Sequence, residues 1–186
     1  MNFPFFTIGH STLTIDAFIA ELRGVDVTHV TDIRTVPRSR TNPQFNQDSL
    51  PCALEPFAIG YSHSARLGGL RGKARGIEPG INGLWRNNSF HNYADYALSA
   101  EFAAGLDALI QTGRQQRTTV MCAEAVWWRC HRRIVADYLL ARGETVFHIM
   151  EHGKVEPAQL TPGAVAHPNG TVTYPRSHAP LAAAAR

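Results

Sequence analysis

The apolar positions of this chain alternate between two patterns. Phe3 to Ile8 is a short β-prone apolar run that stops at Gly9-His10-Ser11. Ile15, Phe18, Ile19 and Leu22 then recur at helical spacing behind a capping Thr14, and Gly24 ends the segment. Val27 to Ile33 is a second buried run, closing on Asp32-Ile33-Arg34. Strand, helix and strand joined by short turns predict a parallel sheet, because a parallel pair needs a crossover that a helix supplies. The second half repeats the alternation. Tyr93–Leu98 and Glu101–Gln111 predict helices, the latter with Phe102, Leu106, Leu109 and Ile110 on one face. Thr118–Met121 predicts a strand that leads into Cys122-Ala123-Glu124. A helix with Ile134, Tyr138 and Leu139 on one face follows and ends at Gly143, and Thr145–Ile149 predicts another strand.

The stretches between are less regular. Asn46 or Asp48 starts a short predicted helix through Leu50, Leu54 and Phe57, which places Cys52 in the core. Gly60–His63 predicts a short strand. Arg66–Asn88 is rich in Gly and Arg without periodicity, and loops of that length in a compact domain tend to be functional. Near the end, Asn169-Gly170 between β-prone residues predicts a hairpin over Val165–Tyr174, and Pro175–Arg186 reads as a loose tail. The expected architecture is one α/β domain, a mostly parallel central sheet flanked by helices, over residues 1–160. A C-terminal hairpin and tail occupy 161–186. No internal repeat is present.

Composition narrows the function classes. With 44% apolar and 18% charged residues in 186, the chain is globular rather than disordered. No apolar run approaches the ~20 residues that span a bilayer. The opening residues lack the basic and long apolar regions of a secretory signal, so a cytoplasmic protein with no membrane partner is expected. Three cysteines are too few for a disulfide scaffold. The net charge is only +3, but of 18 cationic residues all except Lys73 and Lys154 are Arg, whose fork suits phosphate and carboxylate.

Three of the predicted strands end in polar residues: His10-Ser11, Asp32 with Arg34, and Cys122 with Glu124. Ligands of open parallel sheets bind outside the carboxyl ends of the strands, so these groups are expected to converge on one edge. Cys122, between a strand and a helix, suits a nucleophile or a ligand-contacting thiol. Glu124 suits an acid/base, His10 and His131 proton carriers, and Arg34 and Arg132 anion clamps, with Ser11 and Asp32 beside them. The expected ligand is small and anionic, phosphate-bearing or nucleotide-like, and the enzyme class a thiol-dependent hydrolase or transferase.

Other readings stay open. Cys122, Glu124, Cys130 and His131 are all competent metal ligands, although adjacent Cys130 and His131 would chelate together poorly inside one helical turn. No cofactor is required by the sequence, and a divalent metal ion would suit this set. A Cys122–Cys130 redox pair is a further option. Asp32 and Arg34 could equally be a structural ion pair. Arg38, Arg40, Arg66, Arg71, Lys73, Arg75 and Arg86 in the irregular stretches could grip nucleic acid, with Tyr61, Trp85, Phe90, Trp127 and Trp128 to stack bases. Walker, dinucleotide-binding and nucleophile-elbow motifs are absent.

The order of motifs resembles the DUF488 family. Those motifs are Thr7-Ile8-Gly9-His10-Ser11, Asp32-Ile33-Arg34 with Pro37 and Ser39, and Pro43 with Phe45. Tyr61 with His63, Leu67-Gly68-Gly69, Cys122-Ala123-Glu124 and Cys130-His131-Arg132 complete the set. The likeness covers roughly residues 6 to 160. It implies a compact α/β domain, no established reaction, and a set of featured residues that adds Pro37 and Ser39 to those above, Ser39 as a further site residue. An Asp-x-Arg at one strand end and a Cys at a later one is also similar to rhodanese domains. The loop after Cys122 departs from theirs by its Glu, its two Trp and its lack of Gly, so that likeness concerns topology alone.

Overall fold

The computed structural model describes residues 3–78 and 80–176. Its centre is a six-stranded sheet in the order β3-β2-β4-β1-β5-β6. The strands are β1 (Phe5–Gly9), β2 (His29–Asp32), β3 (Gly60–His63), β4 (Thr118–Cys122), β5 (Val146–Ile149) and β6 (Val155–Pro157). The first five pair in parallel, and β6 runs antiparallel on the edge beside β5. β1, β2, β4 and β5 are the inner strands, and the residues of β1, β2 and β4 are almost all buried, which is why these strands show no alternation of apolar and exposed polar positions.

Helices cover both faces. On one lie α1 (Ile15–Gly24) and α2 (Leu50–Leu54), packing Phe18, Leu22, Leu50 and Leu54 with Phe45 against Ile8, Val30 and Met121. On the other lie α3 (Asn88–Tyr96), α4 (Ala100–Gln115) and α5 (Arg132–Ala141), whose Tyr93, Phe102, Leu106, Ile134 and Tyr138 pack on Phe5 and Val120. α1 starts where the sequence indicates: the Thr14 hydroxyl accepts the Ala17 N–H at 3.2 Å. Asp16 in its first turn and Arg23 in its last complement the helix dipole.

Among the described residues no helix is long and apolar enough to cross a membrane. A small hairpin, β7 (Val165–Ala166) with β8 (Val172–Thr173), turns at Gly170 with φ +76°. It is anchored: Val172 and Tyr174 are fully buried, and Asp137 accepts from the Tyr174 hydroxyl at 2.9 Å and from the Thr161 N–H at 2.9 Å. The expected tail lies from residue 177 onward outside the described residues.

Several local expectations are corrected. The segment after Asn46 holds only one α turn, Leu50–Leu54, continued by a 3-10 turn over Glu55–Phe57. Leu50 and Leu54 point inward, so Cys52 between them points out and is exposed rather than in the core. Phe57 is likewise 42% exposed. α3 begins at Asn88, where the Asn87 side chain caps the Ser89 N–H at 2.8 Å, five residues before the expected start.

Candidate functional site

The inner strands bring the three polar strand ends side by side. Gly9 pairs with Cys122 in register, and Asp32 with Met121. Beyond the sheet the chains stay joined: His10 N–H donates to Cys122 O at 3.0 Å and Ser11 N–H to Ala123 O at 2.9 Å, with Ser11 turning at φ +43°. A cleft of about 710 Å³ opens there, lined by His10, Ser11, Arg34, Ser39, Cys122, Glu124, Cys130 and His131 among others. Of the expected site residues, Asp32 and Arg132 do not line it.

Asp32 is fully buried and belongs to Arg34. The Arg34 guanidinium donates to its carboxylate from Nε at 2.9 Å and Nη2 at 2.6 Å, and from Nη2 also to Phe45 O at 2.6 Å. The Tyr61 hydroxyl donates a further bond to Asp32 at 2.8 Å, and burial first, then that carboxylate, pushes the Tyr61 pKa well up. Arg34 Nη1 meets His10 Nε2 at 3.2 Å while His10 Nδ1 faces Ser11 O at 3.0 Å. The two contacts fix one tautomer: Nδ1–H donates to the carbonyl, and Nε2 accepts from Arg34. Burial, and then the Arg34 charge, lower the His10 pKa to about 4, so the ring is neutral at pH 7. Of the five N–H donors in the Arg34 fork, one, on Nη1, has no partner among the described residues.

Arg132 is 1% exposed. It donates from Nη1 to Ile8 O at 3.0 Å and Glu124 O at 2.7 Å, and from Nη2 to Ala125 O at 2.8 Å. It thereby ties the loop after Cys122 to the end of β1. Gly9 permits this approach, because a Cβ there would stand 1.8 Å from Glu124 O and 2.7 Å from both Nη atoms.

Two thiols and an imidazole form the floor. Cys122 Sγ, Cys130 Sγ and His131 Nδ1 lie within 4.8 Å of one another, with His131 Nδ1 at 3.9 Å from Cys122 and 3.7 Å from Cys130. Glu124 stands outside this cluster, on the exposed loop above it. Cys130 and His131 converge because the helix starts only at Arg132: Cys130 is extended (φ −121°, ψ 147°) and His131 is the N-cap, so the expected obstacle of a shared helical turn does not arise. The Cys130 thiol beside it, and next His131, hold the Cys122 thiol pKa well below its ordinary value against the effect of burial. Burial, and next the facing Cys122, push Cys130 the other way.

The sequence pattern does not single out Arg129, and it offers Arg38 only among the loop cations that could grip nucleic acid. Both line the cleft, as do Thr12, Asn42, Gly69 and Phe90. The signal for Arg129 was its place directly before Cys130. Of the other loop cations, Arg71 is occupied: it lies 3.7 Å over the Tyr96 ring and donates to Ala65 O and Gly68 O. The aromatics are largely engaged too, Trp85 stacking on Phe90 and Trp127 on His148.

Residues 14–139 match the model of a family described as a domain of unknown function, DUF488. No curated protein and no solved structure gives a significant match.

Proposed function

Since the chain belongs to the DUF488 family, whose description carries no reaction, we propose a function from the cleft itself: a hydrolase or transferase acting on a phosphate-bearing or nucleotide-like ligand. The observation that carries this reading is one cleft holding a thiol poised toward the thiolate, a free carboxylate and several cations. In the metal-free protein Cys122 is the nucleophile, and Cys130 and His131 present it. Glu124 moves the proton. Arg38, Arg129 and the spare N–H of Arg34 meet the anionic part, with Ser11 and Ser39 as hydrogen-bonding neighbours. Asp32 and Arg132 support the site from behind, Asp32 by holding Arg34 and Arg132 by holding the loop.

Alkylation of chelator-treated protein, mapped by mass spectrometry over a pH series, tests the nucleophile. Cys122 is expected to react well below pH ~8.5, the ordinary range of a free thiol. A Cys122 profile centred near that value would remove the role. Glu124→Gln provides the second arm. It is expected to abolish turnover of a phosphate ester by Cys122-competent protein while moving stability by no more than about 0.5 kcal/mol, as befits an exposed position.

A further inference from the structure

The imidazole of His131 is held in one orientation. Its Nε2 lies 3.1 Å from the carbonyl of Ile33, which can only accept, so Nε2 carries a proton and Nδ1 is the nitrogen turned toward Cys122 and Cys130, where it donates to a thiolate when protonated and offers a lone pair to a metal ion when that proton is displaced. A histidine whose far nitrogen donates to a backbone carbonyl, with its near nitrogen facing two thiols, is the arrangement that metal-binding imidazoles adopt.

The spacing agrees. With ordinary zinc–sulfur and zinc–nitrogen bond lengths, a tetrahedral ion separates a sulfur from a nitrogen ligand by about 3.6 Å. The two observed separations are 3.9 and 3.7 Å, so closing on an ion requires movements of only a few tenths of an ångström.

A further observation is steric. Gly69, which also lines the cleft, comes so close that a Cβ there would stand 2.4 Å from His131 Nδ1 and 2.7 Å from its Cγ. The φ of Gly69 is not in the left-handed region, so backbone conformation does not require glycine there. The near-equal approach to Nδ1, Cγ and Cε1 puts that Cβ over the face of the ring, so the missing side chain lets the loop pack flat on the imidazole and hold its plane, with the in-plane direction of Nδ1 left to the thiols.

We infer that Cys122, Cys130 and His131 bind one divalent transition-metal ion of the zinc type, with the fourth position open to the cleft. The inference rests on the reading of this cleft as the reaction site, and makes Cys122 a ligand in the loaded protein. Two thiolates and a neutral imidazole are soft and borderline donors, which select zinc, cobalt or a similar ion over magnesium or calcium. Three protein ligands leave a place for water or substrate, the pattern of a catalytic rather than a structural zinc site. Glu124 lines the same cleft without belonging to the ligand cluster. Its carboxylate is therefore free to take a proton from a water on the open position, and Arg38 and Arg129 stand on the same cleft to hold an anionic substrate.

The test uses Co²⁺ as a spectroscopic probe on chelator-stripped full-length protein. One equivalent is expected to bind with the intense ligand-field bands of a tetrahedral ion and thiolate-to-cobalt charge transfer. Cys130→Ser and His131→Ala are each expected to weaken binding on the order of 100-fold or more, since even an outer partner is worth 10–100-fold. Glu124→Gln is expected to leave the spectrum unchanged. Independently of any variant, cobalt should shield Cys122 and Cys130 from alkylation and leave the exposed Cys52 reactive. No saturable binding, a spectrum without thiolate charge transfer, or alkylation of Cys122 indifferent to cobalt would each overturn the inference. A stripped Cys122 that reacts at low pH in a protein that takes up no cobalt leaves the nucleophile reading standing alone. Cobalt binding to a protein whose stripped Cys122 has ordinary reactivity removes the nucleophile and keeps the metal.

Discussion

Arg132 donates from Nη1 to the main-chain carbonyl of Glu124 at 2.7 Å, so a residue of the family motif acts on the loop that carries the candidate acid/base rather than on a ligand. The guanidinium is buried against three carbonyls. Each would be left without its charged donor in an Arg132→Met variant, at about 1.5–3 kcal/mol for such a bond before relaxation. Chemical denaturation is expected to show a loss on the order of 4 kcal/mol. Arg132→Lys should recover part of it, since one ammonium reaches fewer of the three carbonyls. A loss under 1 kcal/mol for the Met variant would show that the loop holds its place without this tie.

Asp32 and Arg34 are coupled far more tightly to each other than to solvent, at 0% and 6% exposure. Asp32→Ala strands a buried guanidinium and is expected to cost about 3–5 kcal/mol, whereas replacing both residues by Leu and Met should cost clearly less than the two single changes summed. A thermodynamic cycle over the four proteins reads this directly. Additive effects would mean that Phe45 O and His10, not Asp32, hold Arg34 in place.

Much of this fold was legible because the inner strands are buried on both faces, and buried parallel strands write themselves as short apolar runs between helical spacings. Thr14, Gly143 and Asn169-Gly170 marked their boundaries by chemistry that needs no tertiary partner. Cys52 was misplaced because a single α turn gives too few positions to define a face; Leu50 and Leu54 alone decide which way it points. Convergence of His10, Arg34, Cys122 and Glu124 followed from strand ends alone. That Cys130 and His131 could reach one point did not, because it depends on a break in backbone conformation between them. Nor could the sequence tell a cleft-lining arginine from a buried one: Arg129 and Arg132 are three residues apart, and only packing separates them.

Besides His29, whose pKa burial also lowers, two buried histidines make the protein acid-sensitive. Burial first, then a nearby arginine charge (Arg34 for His10, Arg132 for His148), lowers each from 6.5 to about 4. A histidine with a depressed folded pKa takes up its proton more readily when unfolded. Its contribution to stability is therefore complete above pH 6.5, falls as the pH drops below that value and is gone below about pH 4. Each shift corresponds to on the order of 3 kcal/mol. Urea midpoints are expected to decline between pH 6.5 and 4. His148→Gln, which keeps a polar partner for the Thr7 hydroxyl now 2.8 Å from the ring, should flatten part of that decline. An unchanged pH dependence in this variant would remove His148 from the account.

Gly69 offers the sharpest contrast between room and backbone freedom. In Gly69→Ala the new Cβ would meet His131 at Nδ1, Cγ and Cε1, all under 3.0 Å, and the ring has little freedom to yield. Its Nε2 is bonded to Ile33 O, and its other side packs edge-on to Tyr93 with centroids 5.0 Å apart. Overpacking of this kind costs about 1–3 kcal/mol. Whatever displacement relieves it must also carry Nδ1 away from the thiols, removing one of the influences that lower the Cys122 pKa. Gly72→Ala, three residues on, meets nothing within 4 Å and serves as the control. The expected result is a loss of stability together with a rise in the pH at which Cys122 is alkylated for Gly69→Ala, and neither for Gly72→Ala. A Gly69→Ala protein of undiminished stability with an unmoved Cys122 profile would show that the loop swings clear of the ring, and that His131 does not tune the thiol through the contact at Nδ1.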